Sequence, residues 1–293
     1  MTIIDEIKDS FKTGSTLTRL IYINLAVFIL VNLAEVIYFL ANKHGSYSGF
    51  LAQFMIPADL SVLFRRPWTA ITYMFTHKSF IHILFNILWL YWFGKIFLSY
   101  FDGKKLVGVY LLGGLAGALF FVGTYNMLPV FRSSLPMAAA LGASASVTAI
   151  IIATAVYVPN FTIHLLFIGR VKIIYVAIAV LILTVLVDFP RNPGGMLAHL
   201  GGAVLGYFFT VRYKQGKDIT RGINRFLEWF FSIFRPRPKI RVTHRNTETD
   251  LEYNKRKADE QKEVDRILDK IAKSGYGSLT SKEKETLFRQ SKK

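Results

Sequence analysis

The chain has 293 residues, of which 52% are apolar and only 19% charged, with no cysteine and a formal net charge of +17. Soluble domains carry about 25% charged residues, and no water-facing surface absorbs this much Phe, Leu and Ile, so an ordinary two-domain soluble enzyme is disfavoured. The missing cysteines exclude a disulfide scaffold, a Cys-ligated metal site and a thiol nucleophile.

In chain order, residues 1–18 are polar and lack the apolar core of a secretory leader, so they read as a cytoplasmic N-terminal segment. Long apolar runs follow at Leu20–Ala41, Phe80–Phe93, Leu106–Tyr125, Leu141–Val158, Ile173–Val187 and Gly194–Val211. A membrane-crossing helix needs roughly 20 apolar residues. The longer runs meet that directly, and the shorter ones do once flanking aromatic and small residues are counted. The expectation is an all-α membrane protein, a six-transmembrane-helix bundle over residues 19–213. An even number of spans puts both termini on one side, and the basic tail argues for N-in and C-in in a cell (inner) membrane.

More than half of the Lys and Arg lie beyond residue 213. Within 214–249, Ile223, Phe226, Leu227, Phe230 and Phe234 recur at helical spacing among Arg221 and Arg225, the pattern of an interfacial helix near anionic lipid headgroups. A cytoplasmic extension of the last span reads equally well. Arg235-Pro-Arg-Pro breaks the chain. Residues 250–293 then read as a small cytoplasmic helical hairpin, with Val264, Ile267, Leu268 and Ile271 as its apolar stripe. Gly275 and Gly277 separate its helices, and Thr280 or Ser281 caps the second. It is a candidate docking element for a cytoplasmic partner. The charge carries no DNA-binding motif, so no nucleic-acid partner is expected.

Ionisable and amide side chains within spans are expensive and point to function. His82 and Asn86 share one face of the second span, Ser144 lies about three residues into the fourth, after Gly142, and His199 lies in the sixth before Gly202 and Gly206. Counted from the span starts, the four polar groups fall within roughly the outer 3–9 Å of three helices. Taken singly, each has a structural reading as interhelical hydrogen-bond glue or close helix contact. At one shared depth they suit acyl transfer: a serine hydroxyl, a neutral histidine to take its proton, and donors for an oxyanion from Asn86, His82 and unpaired helix-start N–H groups. No acidic residue in the later spans is available to orient His199, since Asp188 is at a loop edge, so a dyad is expected. Metal binding by two histidines and an asparagine competes but lacks carboxylates, and neither metal nor cofactor is expected. A small transporter would show repeat symmetry between halves, and none is evident.

Phe75-Thr-His77-Lys-Ser-Phe-Ile-His82-Ile-Leu-Phe-Asn86, Gly142-Ala-Ser144 and Ala198-His199-Leu-Gly-Gly202 with Gly206 together resemble the signatures of rhomboid intramembrane serine proteases in their six-helix bacterial form. The resemblance covers about residues 15–213. It implies Ser144 as nucleophile, His199 as base, and His82, Asn86 and the Ser144 N–H as the oxyanion site, with transmembrane protein segments cleaved near the outer face. It also implies that His77 lines a watery entrance and that Trp68 belongs to a structural Trp-Arg pair of the first loop. Three positions depart from the family pattern: Thr69 stands for the arginine, Ala145 for a glycine after the serine, and Thr148 for an aromatic under the histidine. These put loop docking and packing of the base in question and leave a catalytically weak or inactive rhomboid-like binder of transmembrane helices as the alternative. Ser146 lacks the glycine two residues before it and is the poorer nucleophile candidate.

Overall fold

A computed structural model describes residues 2–165, 168–184, 193–233 and 250–290. The chain forms two compact units, residues 1–234 and 235–293. Asp188, Phe234, the Arg235–Pro238 break, His244 and the end of the Ile173–Val187 run lie outside the described residues.

The first unit opens with α1 (Ile3–Thr13), whose capping box pairs Thr2 with Asp5. Polarity alone gave no sign of this helix, whose exposed Ile7 and Phe11 make it amphipathic. Arg19 donates to the carbonyls of Phe11 and Lys12 at 2.9 and 2.6 Å, closing the helix end onto the next element. That element is α2 (Thr16–Leu40), followed by α3 (His44–Leu51), β1 (Ile56–Pro57), α4 (Leu60–Arg65) and α5 (Thr69–Thr72). The bundle continues with α6 (Phe80–Leu98), α7 (Gly103–Met127), β2 (Ala139–Ala140), α8 (Ser144–Tyr157), β3 (Thr162–Leu165), β4 (Gly169–Lys172), α9 (Ile173–Ile182), α10 (Pro193–Lys214) and α11 (Arg221–Ile233). Two short antiparallel ladders, β1 with β2 and β3 with β4, qualify the all-α expectation.

Helices α2, α6, α7 and α10 are long and apolar enough to cross a membrane. Helices α8 and α9 are apolar but shorter, at 14 and 10 residues. The chain is therefore a mostly helical, multi-pass membrane protein. Its packing follows membrane rules, in which small residues let backbones approach because lipid supplies no hydrophobic drive between helices. A Cβ on Gly202 would sit 2.1 Å from the Ala145 carbonyl oxygen, and one on Gly206 would sit 2.3 Å from that of Ala149. A Cβ on Gly201 would meet the Ala116 carbonyl at 2.5 Å. Thus α10 is wedged against both α8 and α7 along a glycine face. Hydroxyls add to the seam, with Thr210 donating to the Ala153 carbonyl at 2.9 Å.

The loop between α2 and α6 is tied to the segment before α8. Ile56 pairs with Ala140, and the Ala58 N–H donates to the Ala138 carbonyl at 2.9 Å. Trp68 Nε1 donates to the Gln53 carbonyl at 2.9 Å, and the buried Thr69 hydroxyl caps the Arg66 carbonyl at 2.6 Å. The arginine missing at Thr69 has not left this loop undocked.

After α10 the backbone breaks at Gly216, with φ +77°, so α11 is a separate helix and not a continuation of the last span. Ile223 and Leu227 pack against the core, whereas Phe226, Trp229, Phe230 and Phe231 are exposed. In the second unit, α12 (Asp250–Ser274) ends at Gly275, with φ +75°, and α13 (Ser281–Gln290) begins after the Thr280 cap. Ile267 and Leu279 are its buried apolar residues, and Lys270 pairs with Glu283 at 3.0 Å.

Candidate active site

Helix α6 starts at Phe80, so His82 is its third residue and Asn86 follows one turn later on the same face. One amide hydrogen of Asn86 donates to the His82 carbonyl at 2.8 Å, which leaves the second for another acceptor. Pro193 opens α10, and His199 lies two turns in, 8% exposed.

Ser144 is the first residue of α8, not a residue three positions inside a helix starting at Leu141 as the apolar run suggests. Residues 141–143 descend as an irregular turn because Gly142 has φ +120°, a backbone conformation that side-chain-bearing residues rarely adopt. Gly142 is therefore a turn residue and does not serve helix packing. It also makes room for a ring: a Cβ there would lie 2.6 Å from His82 Cε1 and 3.0 Å from Nε2. The edge of the His82 imidazole thus rests on the backbone two residues before Ser144. Ala143 offers no side-chain cap, and the first intrahelical bond runs from the Val147 N–H to the Ala143 carbonyl at 2.9 Å. The N–H groups of Ser144, Ala145 and Ser146 consequently have no intrahelical acceptor.

His82 and Asn86 of α6, Ser144 and Thr148 of α8, and His199 of α10 line one cavity of about 550 Å³. Phe85, Trp89, Val147, Ile151, Val180, Leu183 and Thr184 complete its wall. Ser146 is completely buried on the other side of α8, its Oγ 3.9 Å from Met74 Sδ. Of the two serines, only Ser144 opens into the cavity. Thr148 donates to the Ser144 carbonyl at 2.7 Å, which ties the first turn of α8 together where an aromatic is absent. Ala145 is buried against α7 and α10, its methyl filling space beside Gly117.

His77 does not line a watery entrance. It has no exposed surface, and it accepts the Ala143 N–H on Nε2 at 3.1 Å while Nδ1 donates to the Phe75 carbonyl at 3.2 Å. Burial holds its pKa down, to about 4, with the neighbouring His82 ring adding to the effect. The turn is held a second time by the Gly142 N–H, which donates to the Tyr73 carbonyl at 2.8 Å. Sequence reasoning missed Tyr73 and Phe75 because they act through backbone carbonyls. It missed Phe85, Trp89, Val180 and Leu183 because apolar residues carry no signal within an apolar span. Among the described residues, no group of three or more His, Asp or Glu is arranged to hold a metal ion.

The comparisons with known proteins bear on the same stretch. A family model described as Rhomboid domain matches residues 65–215, a span that contains Trp68, His77, His82, Asn86, Gly142, Ser144, His199, Gly202 and Gly206. Residues 247–293 match a family of unknown function, DUF6576. RHOMBOID-like protein 12, mitochondrial, of Arabidopsis thaliana is 28% identical over 159 residues, which is 51% of this chain. The chain spans about half the length of that relative, 47% of it. With a domain match over more than half its length and a multi-helix membrane core, the chain belongs to the rhomboid family of intramembrane serine proteases and their non-proteolytic relatives.

Proposed function

We propose that this protein is an intramembrane serine endopeptidase that cleaves transmembrane segments of other membrane proteins with a Ser144–His199 dyad. The observation that carries the reading is the single cavity shared by Ser144, His199, His82 and Asn86 from three separate helices. A ring nitrogen of His199 takes the Ser144 hydroxyl proton as Oγ bonds to the carbonyl carbon of the scissile peptide. The resulting oxyanion accepts hydrogen bonds from the Ser144 N–H, the second Asn86 amide hydrogen and His82. The C–N bond then breaks as His199 returns the proton to the leaving amine. Water, deprotonated by His199, attacks the acyl ester and releases Ser144. The dyad uses no metal or cofactor. Gly142 and Gly202 support this chemistry, one by seating His82 and the other by bringing α10 against α8.

The same reading has six crossings, α2 and α6 to α10, with both termini cytoplasmic in a cell membrane. The 14 residues of α8 rise only about 21 Å, less than the ~30 Å hydrocarbon core. That shortfall, met by the irregular turn at residues 141–143, favours a nucleophile set below the membrane surface, where polar backbone is tolerable only beside protein or water. Helix α11, with Arg221 and Arg225 beside its exposed aromatics, suits anionic headgroups at the inner face. The α12–α13 hairpin is the candidate for a cytoplasmic partner.

The test is cleavage of a transmembrane substrate by purified protein in proteoliposomes, together with labelling by a fluorophosphonate probe. Wild type should cleave and be labelled at Ser144, and Ser144→Ala should do neither. Cleavage that survives Ser144→Ala overturns the assignment, and absence of both cleavage and label in wild type favours the non-proteolytic alternative.

A further inference from the structure

A second cavity, of about 620 Å³, lies away from the one described above, in the groove between α2 and α6. Its walls are apolar along most of their length, with Leu17 and Ile21 contributed by α2 and Leu84, Ile87 and Leu88 by α6. One end differs. There Ser15, Thr18, Lys95 and Ser99 line the groove, and the Lys95 ammonium lies 4.6 Å from the centroid of the Tyr91 ring. The two helices run in opposite senses, so the start of α2 and the end of α6 meet at this polar end.

Lys95 has no ion-pair partner among the described residues, and α6 contains no Asp or Glu. The one acid of α2, Glu35, is near the other end of that helix and pairs with Lys78 at 3.4 Å. The nearest acid in sequence, Asp102, is bonded to Lys105. The α6 wall of the groove is long, while α2 lines it only from Ser15 to Tyr22. From Leu84 to Ser99 is fifteen positions of α6, a rise of about 22 Å, whereas one leaflet contributes about 15 Å, half of a ~30 Å hydrocarbon core. A slot whose α6 wall is apolar over one leaflet's depth and that ends in one cation and the hydroxyls of Ser15, Thr18 and Ser99 at headgroup level matches a phospholipid with a net negative headgroup.

We propose that the α2–α6 groove is a binding site for an anionic phospholipid, with one acyl chain lying between Leu17, Ile21, Leu84 and Leu88 and the phosphate held by Lys95. The site is independent of the proteolytic reading, because none of its residues lines the Ser144 cavity.

The test uses the full chain in phosphatidylcholine vesicles doped with phosphatidylglycerol carrying a photoreactive group on one acyl chain, and in a parallel sample with phosphatidylcholine carrying the same chain. After irradiation, cross-linked residues are mapped by mass spectrometry. The phosphatidylglycerol probe should concentrate on Ile21, Leu84 and Leu88. A basic side chain near the surface contributes about 1 kcal/mol toward anionic lipid, so Lys95→Gln should lower that labelling about fivefold. Lys95→Arg should preserve it. Leu88→Phe, which fills the groove and leaves the charge, should lower labelling by both probes. Equal labelling by the two lipids, an unchanged pattern in Lys95→Gln, or labelling spread evenly over the Ile29–Leu40 face of α2 would each overturn the proposal. Glycerol phosphate that abolishes labelling at low concentration would also overturn it, since the site would then recognise a soluble phosphate and not a lipid.

Discussion

The Ala143 N–H donates to Nε2 of His77 across 3.1 Å, one residue before Ser144. Because Nε2 is the acceptor, the ring proton is on Nδ1, which donates to the Phe75 carbonyl at 3.2 Å. The neutral ring therefore clamps the turn that delivers Ser144 to the cavity. An imidazolium has no acceptor and could not make the bond to Ala143.

This fixes a sign for the pH dependence. His77 is buried, and its pKa is pushed down to about 4 from the ordinary 6.5. Between those values the unfolded chain binds the proton and the folded chain does not, so stability rises with pH. The contribution is complete above about pH 6.5 and is lost as pH falls toward 4, a loss on the order of 3 kcal/mol for a shift of this size. Thermal unfolding in detergent should show wild type losing more between pH 7 and pH 4.5 than His77→Ala does. His77→Ala should also be less stable at pH 7 and cleave more slowly, since the turn loses its clamp. Parallel pH profiles for the two proteins would refute the role.

The two serines of the Ser144-Ala-Ser146 stretch separate cleanly by environment, one in the cavity and the other buried against Met74. Ser144→Ala should lower cleavage by at least about a thousandfold, as loss of a nucleophile does in serine proteases. Ser146→Ala should leave the rate within a few-fold, since it removes only a weak contact to a thioether. Rates measured in proteoliposomes decide between them, and a Ser146→Ala protein as inactive as Ser144→Ala would break the assignment.

Two glycines should fail in different ways. In Gly142→Ala the new methyl would fall 2.6 Å from His82 Cε1 at a φ of +120°. Displacing that ring by even ~1 Å is enough to cost about a hundredfold in rate, so activity should fall further than stability. In Gly202→Ala the methyl would meet the Ala145 carbonyl oxygen at 2.1 Å, backbone against backbone. Overpacking of this kind costs ~1–3 kcal/mol or more, so the melting temperature and the cleavage rate should drop together. The ratio of the two losses, compared across the variants, is the measurement; equal ratios would mean that Gly142 has no local role at His82.

What could be read from the sequence follows from where the physics is local. The apolar runs marked α2, α6, α7 and α10, because crossing hydrocarbon needs length and apolarity and both are visible in one segment. The histidines and Asn86 stood out because polar groups are costly in that setting. The apolar run begins at Leu141, three residues before α8, since Leu141–Ala143 are apolar or small and nothing in their composition separates a turn from a helix. From sequence His77 reads as solvent-facing because the N–H that donates to its ring belongs to Ala143, 66 positions away. The ladder joining Ile56–Pro57 to Ala139–Ala140 was invisible for the same reason, a two-residue pairing held by tertiary contact. In the second unit the Thr280 cap was legible because a capping box is written within four residues.

That cap supports the last prediction. The Thr280 N–H donates to Glu283 Oε2 at 2.8 Å, the Glu283 N–H returns to Thr280 Oγ1 at 3.4 Å, and Lys270 of α12 reaches both carboxylate oxygens at 3.0 Å. One carboxylate thus caps α13 and staples it to α12. The Thr280 backbone bond and the Lys270 ammonium hold its pKa at about 2, below the ordinary 4.5. A carboxyl depressed on folding stabilises above its unfolded pKa, so the hairpin should hold at neutral pH and loosen as pH falls from about 4.5 toward 2. Hydrogen exchange on the full chain should show faster exchange at Lys282–Glu285 in Glu283→Ala. Glu283→Gln, which keeps an oxygen to accept from Thr280 and loses the charge facing Lys270, should fall between. Unchanged exchange in Glu283→Ala would mean that apolar contact through Ile267 and Leu279 alone holds the two helices together.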